Sequence, residues 1–287
     1  MNYLTYTYLL TPLHTGASTQ AGNLLGIARE AQTEFPYIPS SSIRGKIRSL
    51  LESNPSIQAE AGSFFGERIK NGNQPTEGEV WFADATLLFF PIASFSHQYV
   101  WVTCPLWLSR WNRWLRNQYV TQLIEECKSQ LQNTSKKVVA SVKGKQVFLQ
   151  GAILKEEEIS QLDAKANYWD AFKEIPDGNG ILNLKEKLVI LADQDCAALV
   201  EIGLQREVRI ALKTDEKIVD GGSFRSEEAI PSETVLFFPW GMKPNKDETP
   251  TQTVREFLSE VLNDRLQFGG LEGLGRGWTE NKTVPIK

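Results

Sequence analysis

Six runs of aromatic, β-branched and other apolar residues predict the strands of this chain. The first, residues 3–10 (YLTYTYLL), is rich in tyrosine and threonine, which favour the pleated backbone of a β-strand. The other runs cover residues 79–90, 98–103, 206–212, 233–240 and 278–286. Strands are therefore expected at both ends of the chain and in its middle.

Apolar residues at helical spacing predict the helices. Ile43, Ile47, Leu50 and Leu51 recur at i, i+4, i+7 and i+8, and the serines at 40–42 offer an N-cap for this helix. Further helices are predicted over residues 106–131, 192–203 and 251–263.

Three tryptophans mark one face of the long predicted helix over residues 106–131. Trp107, Trp111 and Trp114 lie at i, i+4 and i+7. Aromatic side chains can stack on bases, but at this spacing packing in the core or against another subunit is the preferred interpretation.

The order of the elements is strand, helix, strand, strand, helix, then strand, helix, strand. It predicts an α+β fold with an antiparallel sheet, a modified ferredoxin-like (RRM-like) core with insertions, rather than a doubly wound sheet. Residues 1–287 are expected to form one domain. Its insertions are the irregular segment of about 11–42 and a projection within 133–185.

Composition and charge exclude several classes of protein. With 41% hydrophobic and 23% charged residues, the chain is too apolar to be mainly disordered. It has no apolar run near the roughly 20 residues of a membrane span and no basic signal-peptide start, so a cytoplasmic protein is expected. Three scattered cysteines and two histidines argue against a disulfide scaffold and against a His/Cys metal cage.

The charge balance bears on nucleic-acid binding. The 31 basic and 35 acidic residues give a net charge of −4, which argues against binding by bulk charge alone. A local basic groove is compatible with this net charge, because the electrostatic field of a surface patch depends on how its own charges cluster.

The start of the first predicted helix, within IPSSSIRGKIRSLL (38–51), carries one candidate anion site. Free backbone N–H groups at a helix start attract anions, and three serine hydroxyls sit beside them. Arg44 and Arg48 share a face, while Lys46 points elsewhere. A phosphate backbone could lie across this end. The alternative is an ordinary capped amphipathic helix with solvated cations.

A second candidate is the C-terminal loop FGGLEGLGRGW (268–278), with five glycines in nine positions. Glycine permits a close approach to a ligand and positive φ. No Lys-Ser/Thr pair follows, as a P-loop requires, and a strand follows where a dinucleotide fingerprint needs a helix. A loop whose backbone binds a ligand is slightly favoured over a mobile hairpin loop.

The third candidate is His14 in TPLHTGAST (11–19). At a strand end, a histidine could act as a general base or donate a hydrogen bond to phosphate. A structural or positioning role is the more common use of a lone histidine.

Taken in order, these segments resemble a known family. TPLHTG, AREAQTEFPYIPSSSIRGKIRS and GGLEGLGRGW together resemble the RAMP superfamily of CRISPR proteins. The stretches FFGERI, VWFADATLLFFPIASF, YVWVTCPLWLSRW and SEEAIPSETVLFF are similar to the backbone subunit of the Cmr-type (type III-B) effector complex. The match runs through most of the chain and is weakest at about 116–145 and 155–185.

The resemblance implies a ribonucleoprotein role in antiviral defence. Several copies of such a subunit stack along one CRISPR guide RNA, complementary target RNA pairs with that guide, and a thumb from each copy interrupts the duplex. The implied partners are guide RNA, target RNA, further copies of the chain, a large polymerase-like subunit and a small helical subunit, with no membrane. The residues carried over as RNA-binding are His14, Ser40, Ser41, Ser42, Arg44, Lys46, Arg48, Gly273, Gly275 and Arg276.

One position departs from the family pattern. Relatives usually hold an aspartate in the loop after the TPLH motif, and it supports metal-dependent cleavage of target RNA. Counting back from Arg29 and Glu30 puts Leu24 in its place, beside Asn23, and no aspartate occurs before Asp84. Leucine can neither ligate a metal nor move a proton.

The departure favours a subunit that binds RNA with reduced or absent cleavage. A divalent metal (Mg or Mn) is expected as a cofactor only if cleavage is retained. Three alternatives stay open. In one, the chain is an active endoribonuclease in which Glu30 or another acid supplies the carboxylate. In another, it is a stand-alone RAMP ribonuclease that processes the guide precursor with His14 as general base. In the third, it is an unrelated RRM-like module, which predicts a monomer without a co-purifying guide.

Overall fold

The computed structural model describes residues 2–16, 24–67, 76–132, 135–212, 219–243 and 248–286. The strands of this part are β1 Asn2–Leu9, β2 Leu24–Leu25, β3 Val80–Phe82, β4 Thr86–Ser94, β5 Gln98–Thr103, β6 Val138–Ala140, β7 Gln146–Leu149, β8 Ala152–Lys155, β9 Ile159–Gln161, β10 Leu188–Leu191, β11 Gln205–Leu212, β12 Val219–Ala229, β13 Val235–Met242, β14 Arg265–Gln267 and β15 Trp278–Ile286. The α-helices are α1 Ser40–Glu52, α2 Ala61–Phe65, α3 Pro105–Leu115, α4 Gln118–Leu131, α5 Leu184–Lys187, α6 Asp193–Gly203 and α7 Glu248–Val261. Short 3-10 segments cover Gln58–Glu60, Glu156–Glu158, Asn167–Glu174 and Glu272–Leu274.

Four strands of the main sheet form the predicted ferredoxin-like core. The sheet runs β14-β15-β1-β13-β4-β5-β10-β6-β9, with β3 beside β13. Within it, β15-β1-β13-β4 are neighbours and pair antiparallel. With α1 after β1 and α7 before β15, the chain order is β-α-β-β-α-β, so the predicted fold class is confirmed. The second core helix is α7, while α3 and α4 lie in the long insertion between β4 and β13.

Helices cover both faces of the core strands, which explains their continuous apolar runs. On β13, Leu236, Phe238 and Trp240 pack in the cluster that contains the apolar faces of α1 and α7. The alternate residues Val235 and Phe237 pack in the cluster that contains α3 and α4. Successive side chains of a strand point to opposite faces, so one strand contributes to both clusters.

The tryptophan face of α3 packs inside the protein. Trp107 is 1% exposed and Trp111 is fully buried, whereas Trp114 is only partly buried and lies 6.2 Å from the ring of Trp81. Core packing is therefore confirmed for the first two tryptophans.

The prediction of one long helix over 106–131 is wrong in one respect, because this segment forms two helices, α3 and α4. Arg116 adopts a left-handed backbone, with φ of 54°, and ends α3. Asn117 then caps α4, since its side-chain oxygen accepts hydrogen bonds from the backbone N–H groups of Tyr119 and Val120. A left-handed residue followed by an asparagine cap breaks the helical ladder at this point.

Part of residues 133–185, where a projection is expected, packs into the core. Its 3-10 segment buries Tyr168, Trp169 and Phe172. Two small sheets lie outside the main sheet: β7-β8, within residues 133–185, and β11-β12-β2. We call the pair β11 and β12 the arm. On β11, Val208 and Ile210 are 62% and 49% exposed.

Among the described residues, no helix has the length and apolar character needed to cross a membrane.

Replacing Trp111 with alanine is expected to lower the free energy of unfolding by about 3–5 kcal/mol. Its indole N–H donates to the Tyr6 hydroxyl at 3.0 Å, and its ring stacks on Phe172 at 5.2 Å. Urea unfolding followed by circular dichroism measures the loss. Trp114→Ala is the matched control and should cost clearly less. Equal losses for both variants would contradict this packing.

Candidate nucleic-acid interface

The fold brings two of the predicted segments together. The helix start and the glycine loop are more than 200 residues apart in sequence, yet Lys46 Nζ lies 3.3 Å from Glu272 Oε1. They meet because α1 follows β1, the loop precedes β15, and β1 and β15 are paired neighbours. One surface therefore carries the N-terminal part of α1 and the tip of the loop; we call it the α1–loop surface.

His14 joins the third predicted segment to the same region. It bridges to Gly270, whose N–H donates to the His14 carbonyl at 2.8 Å. Its Nδ1 donates to the Glu228 carbonyl oxygen at 2.8 Å, which fixes the hydrogen on Nδ1 because a carbonyl can only accept. His14 is 4% exposed. This placement suits a residue that positions the loop and offers no exposed general base.

The prediction that a serine caps α1 is wrong. Pro39 occupies the cap position, and it has no side-chain acceptor. The preceding residue Ile38 pairs with Ala85, which places Asp84 next to the helix start. Its Oδ1 accepts the Ser40 N–H at 2.7 Å. The carboxylate of Asp84 therefore takes the place of a cap.

Ser40 and Ser42 are partly buried, and Ser41 is exposed. They form the first turn of α1, the helix that also carries Lys46. Their contact with RNA stays a prediction.

The two arginines of α1 are engaged within the protein. Arg44 donates to the carbonyl oxygens of Val80, at 3.2 Å, and Phe65, and its guanidinium lies 5.7 Å from the centre of the Phe65 ring. Arg48 donates from Nε to Glu52 at 2.8 Å, one turn further along the helix. Arg44 thus fastens α1 to α2 and β3, and Arg48 forms a local ion pair.

The glycines of the loop divide into two kinds. Gly277 has φ of +79°, and a Cβ there would lie 1.9 Å from the Phe268 carbonyl oxygen. Gly269 similarly has no space, because a Cβ would lie 2.3 Å from the His14 carbonyl oxygen. A Cβ at Gly273 or Gly275 would have no other atom within 4 Å, apart from its own short stretch of chain. The loop base therefore requires glycine for packing, and the tip has room for a ligand backbone.

Arg276 ties the loop to the arm. It is 7% exposed, and its Nη2 lies 2.6 Å from Glu207 Oε2 on β11. This guanidinium lowers the pKa of the Glu207 carboxyl from its ordinary value. Arg276 therefore sets the position of the arm relative to the loop, and its charge is neutralised by a neighbouring carboxylate.

A cluster of ion pairs at the base of the arm was missed in the sequence. Arg29 lies 2.7 Å from Glu201 and 3.0 Å from Glu228. Arg206 contacts the same two carboxylates, and its strand position is directly opposite Glu228. Arginines and glutamates occur together in QREVR (205–209) and RSEE (225–228), and this density of opposite charges on two predicted strands is the signal that could have suggested cross-strand pairs.

The position aligned with the family aspartate lies beside the arm. Leu24 and Leu25 form β2, which pairs parallel with Ser226 and Glu227 of β12. Asn23 lies outside the described residues. This strand offers no carboxylate of its own.

The acid considered as a substitute is also engaged. Glu30 accepts two hydrogen bonds from Arg110, at 2.7 and 2.9 Å, and one from Thr33. Across the described ranges, no three His, Cys, Asp or Glu side chains are grouped as metal ligands. A leucine and a carboxylate held by arginine do not fit a divalent metal.

Comparisons with known proteins agree with this architecture. The sequence profile of the RAMP superfamily matches residues 8–280. The CRISPR system Cmr endoribonuclease Cmr4 of Pyrococcus furiosus is 29% identical in an alignment of 283 residues that covers 97% of this chain and 94% of that protein.

Solved structures share the fold. The cryo-EM structure of a type III-B Cmr-beta bound to cognate target RNA contains a chain with a TM-score of 0.75 and 21% identity, covering 99% of this chain and 97% of that one. Oligomeric Cmr4 from Pyrococcus furiosus has a TM-score of 0.69 and 24% identity, covering 100% and 98%. At these identities the likeness establishes the fold.

Replacing Glu207 with glutamine tests the link between loop and arm. We expect a loss of about 1–2 kcal/mol in unfolding free energy at neutral pH, because the buried Arg276 loses its charged partner and Glu207 is partly solvated. Since the folded-state pKa of Glu207 is lowered, its contribution is complete above the ordinary value of 4.5 and is lost as the pH falls through the folded value.

Urea unfolding at several pH values measures this dependence. The difference between the wild type and E207Q should shrink towards zero in acid. Glu157→Gln is the control, an exposed glutamate beside β9 at the opposite edge of the sheet. A difference that stays constant with pH would contradict the ion pair.

Proposed function

The chain belongs to the RAMP superfamily, and from that membership we propose that it is the guide-binding backbone subunit of a Cmr-type (type III-B) complex. Several copies assemble along one CRISPR guide RNA and present it to complementary target RNA in antiviral defence. The observation that carries the proposal is the α1–loop surface, on which two segments distant in sequence form one site. The likeness to Cmr4 over nearly the whole chain supports it.

The chemistry of the α1–loop surface suits a phosphate backbone. Lys46 supplies an ammonium, Ser41 an exposed hydroxyl, and Gly273 and Gly275 a backbone that a ligand can approach closely. Because base pairing between guide and target reads the sequence, the protein needs only backbone and shape contacts. A net charge of −4 is compatible with that role, since the contacts are local.

The arm supplies a second contact. Val208 and Ile210 lie two residues apart on β11, so they share a face, and both are exposed. An apolar wedge of this kind can unstack neighbouring bases. We propose the arm as the thumb for this reason, and the expectation of a thumb within residues 133–185, where β7 and β8 form a separate pair, stays a prediction.

Recognition without cleavage is the activity that the residues favour. Leu24 provides no carboxylate, and Glu30 is held by Arg110 and Thr33. No catalytic step is assigned to the chain. Its partners in the complex would be further copies of itself, the large polymerase-like subunit and the small helical subunit.

The assembled complex with its guide RNA should bind labelled complementary RNA and leave it uncut in the presence of Mg²⁺ or Mn²⁺. A denaturing gel shows cleavage, and a native gel shows binding. The complex containing Pyrococcus furiosus Cmr4, which is named an endoribonuclease, serves as the cleavage control. Regularly spaced cuts would contradict the absence of cleavage, and failure to bind would contradict the subunit role.

Leu24→Asp in the same complex is expected to raise target cleavage by at least about 100-fold over the wild type. Leu24→Asn is the matched control, because asparagine has the shape of aspartate without its charge. This variant should stay inactive. Asn23→Asp and Leu25→Asp cover a shift of one position. If all three aspartate variants leave the target uncut, the missing carboxylate does not explain the lack of cleavage.

A further inference from the structure

Lys46 has an unusual partner among the cations predicted to contact RNA. Arg44 donates to backbone carbonyls, Arg48 pairs within α1, and Arg276 is buried against the arm. Lys46 instead pairs with Glu272, at the tip of the glycine loop. Their ion pair therefore connects the two segments of the α1–loop surface.

This ion pair is accessible to solvent and can open at little cost. The Lys46 side chain is 26% exposed and the Glu272 side chain is 49% exposed. Ion pairs at such exposure contribute about 0–1 kcal/mol. An RNA backbone carries a phosphate at every nucleotide, so it competes effectively for the same ammonium.

The loop leaves the Glu272 side chain free to move. Glu272 begins a 3-10 turn whose backbone is held by a hydrogen bond from the Gln267 side chain to the Glu272 carbonyl at 3.0 Å. That bond does not involve the carboxylate. Gly273, the next residue, has open space around it. The carboxylate can therefore leave Lys46 without disturbing the fold of the loop.

A second carboxylate also accepts from a donor of α1. Asp84 Oδ1 accepts the Ser40 N–H at the start of α1. One backbone N–H and one ammonium of α1 are thus each paired with one of the protein's own acids.

We propose that Glu272 is a built-in competitor of RNA phosphate at Lys46. Without RNA its carboxylate occupies the position of a phosphate, and the pair opens when RNA binds. The inference rests on the proposed RNA-binding function. Its consequence is selectivity: a single copy binds arbitrary RNA weakly, and several copies on one guide overcome the competition through their combined affinity.

A double-mutant cycle with the full chain tests the competition. Fluorescence anisotropy measures the affinity of wild type, E272Q, K46Q and the double variant for a labelled single-stranded RNA of mixed sequence at several salt concentrations. E272Q should tighten binding about fivefold, and K46Q should weaken it by a similar factor. In the K46Q background, E272Q should have no effect, because the cation for which it competes is absent.

The salt dependence gives a second readout. E272Q should steepen the fall of affinity with salt, by up to about one counterion, because Lys46 is no longer neutralised beforehand. Glu157→Gln removes the same charge at the opposite edge of the sheet and should leave affinity unchanged. Thermal unfolding of each variant verifies that the fold is intact.

The outcomes separate the competition from the RNA-binding function. An E272Q gain that persists in the K46Q background would be a general charge effect and would overturn the proposal. Weakening by K46Q with no gain from E272Q would overturn the competition and leave the RNA surface in place. If neither variant changes affinity, the α1–loop surface does not bind RNA, and both proposals fail.

Discussion

The antiparallel pairing of β1 with β15 holds the candidate site together. It runs from Asn2 opposite Ile286 to Leu9 opposite Thr279. Beyond it, the two chain segments stay in contact through the bridge between His14 and Gly270. In a ferredoxin-like sheet the first and fourth core strands, here β1 and β15, are neighbours. The segment that follows β1 and the segment that precedes β15 therefore meet at one end of these two strands. The topology thus brings the two segments of the α1–loop surface together, and the ion pair of Lys46 with Glu272 connects them.

The pairing of charges bears on how a chain of net charge −4 could bind RNA. The cations near the site are paired with the protein's own acceptors, in the α1–loop surface and at the base of the arm. In the pair of Arg276 with Glu207 the arginine is buried, so breaking the pair leaves a buried charge, and the pair sets geometry. The exposed pair of Lys46 with Glu272 can exchange partners at small cost. Burial of the cation therefore separates the Arg276 pair, which sets position, from the Lys46 pair, which can exchange partners.

Sequence reasoning identified the fold and predicted three segments that the structure brings close together, but the structure gives several side chains other partners than expected. The strands over residues 98–103 and 278–286 match β5 and β15, because apolar and aromatic runs specify strands directly. The helix break at Arg116 was missed, since a left-handed residue leaves no periodicity signal. Arg44 looked like a solvated cation, yet its carbonyl partners lie on α2 and β3, and only tertiary structure brings them near. Short strands β6 to β9 lacked the length needed for detection.

The central claim is that RNA lies on the α1–loop surface, and ultraviolet crosslinking of the assembled complex with its guide tests it most directly. Mass spectrometry of the crosslinked peptides locates each contact. Crosslinks are predicted in residues 40–48 and 271–276 and on the arm. Crosslinks confined to the opposite sheet edge, around β6 and β9, would contradict the claim.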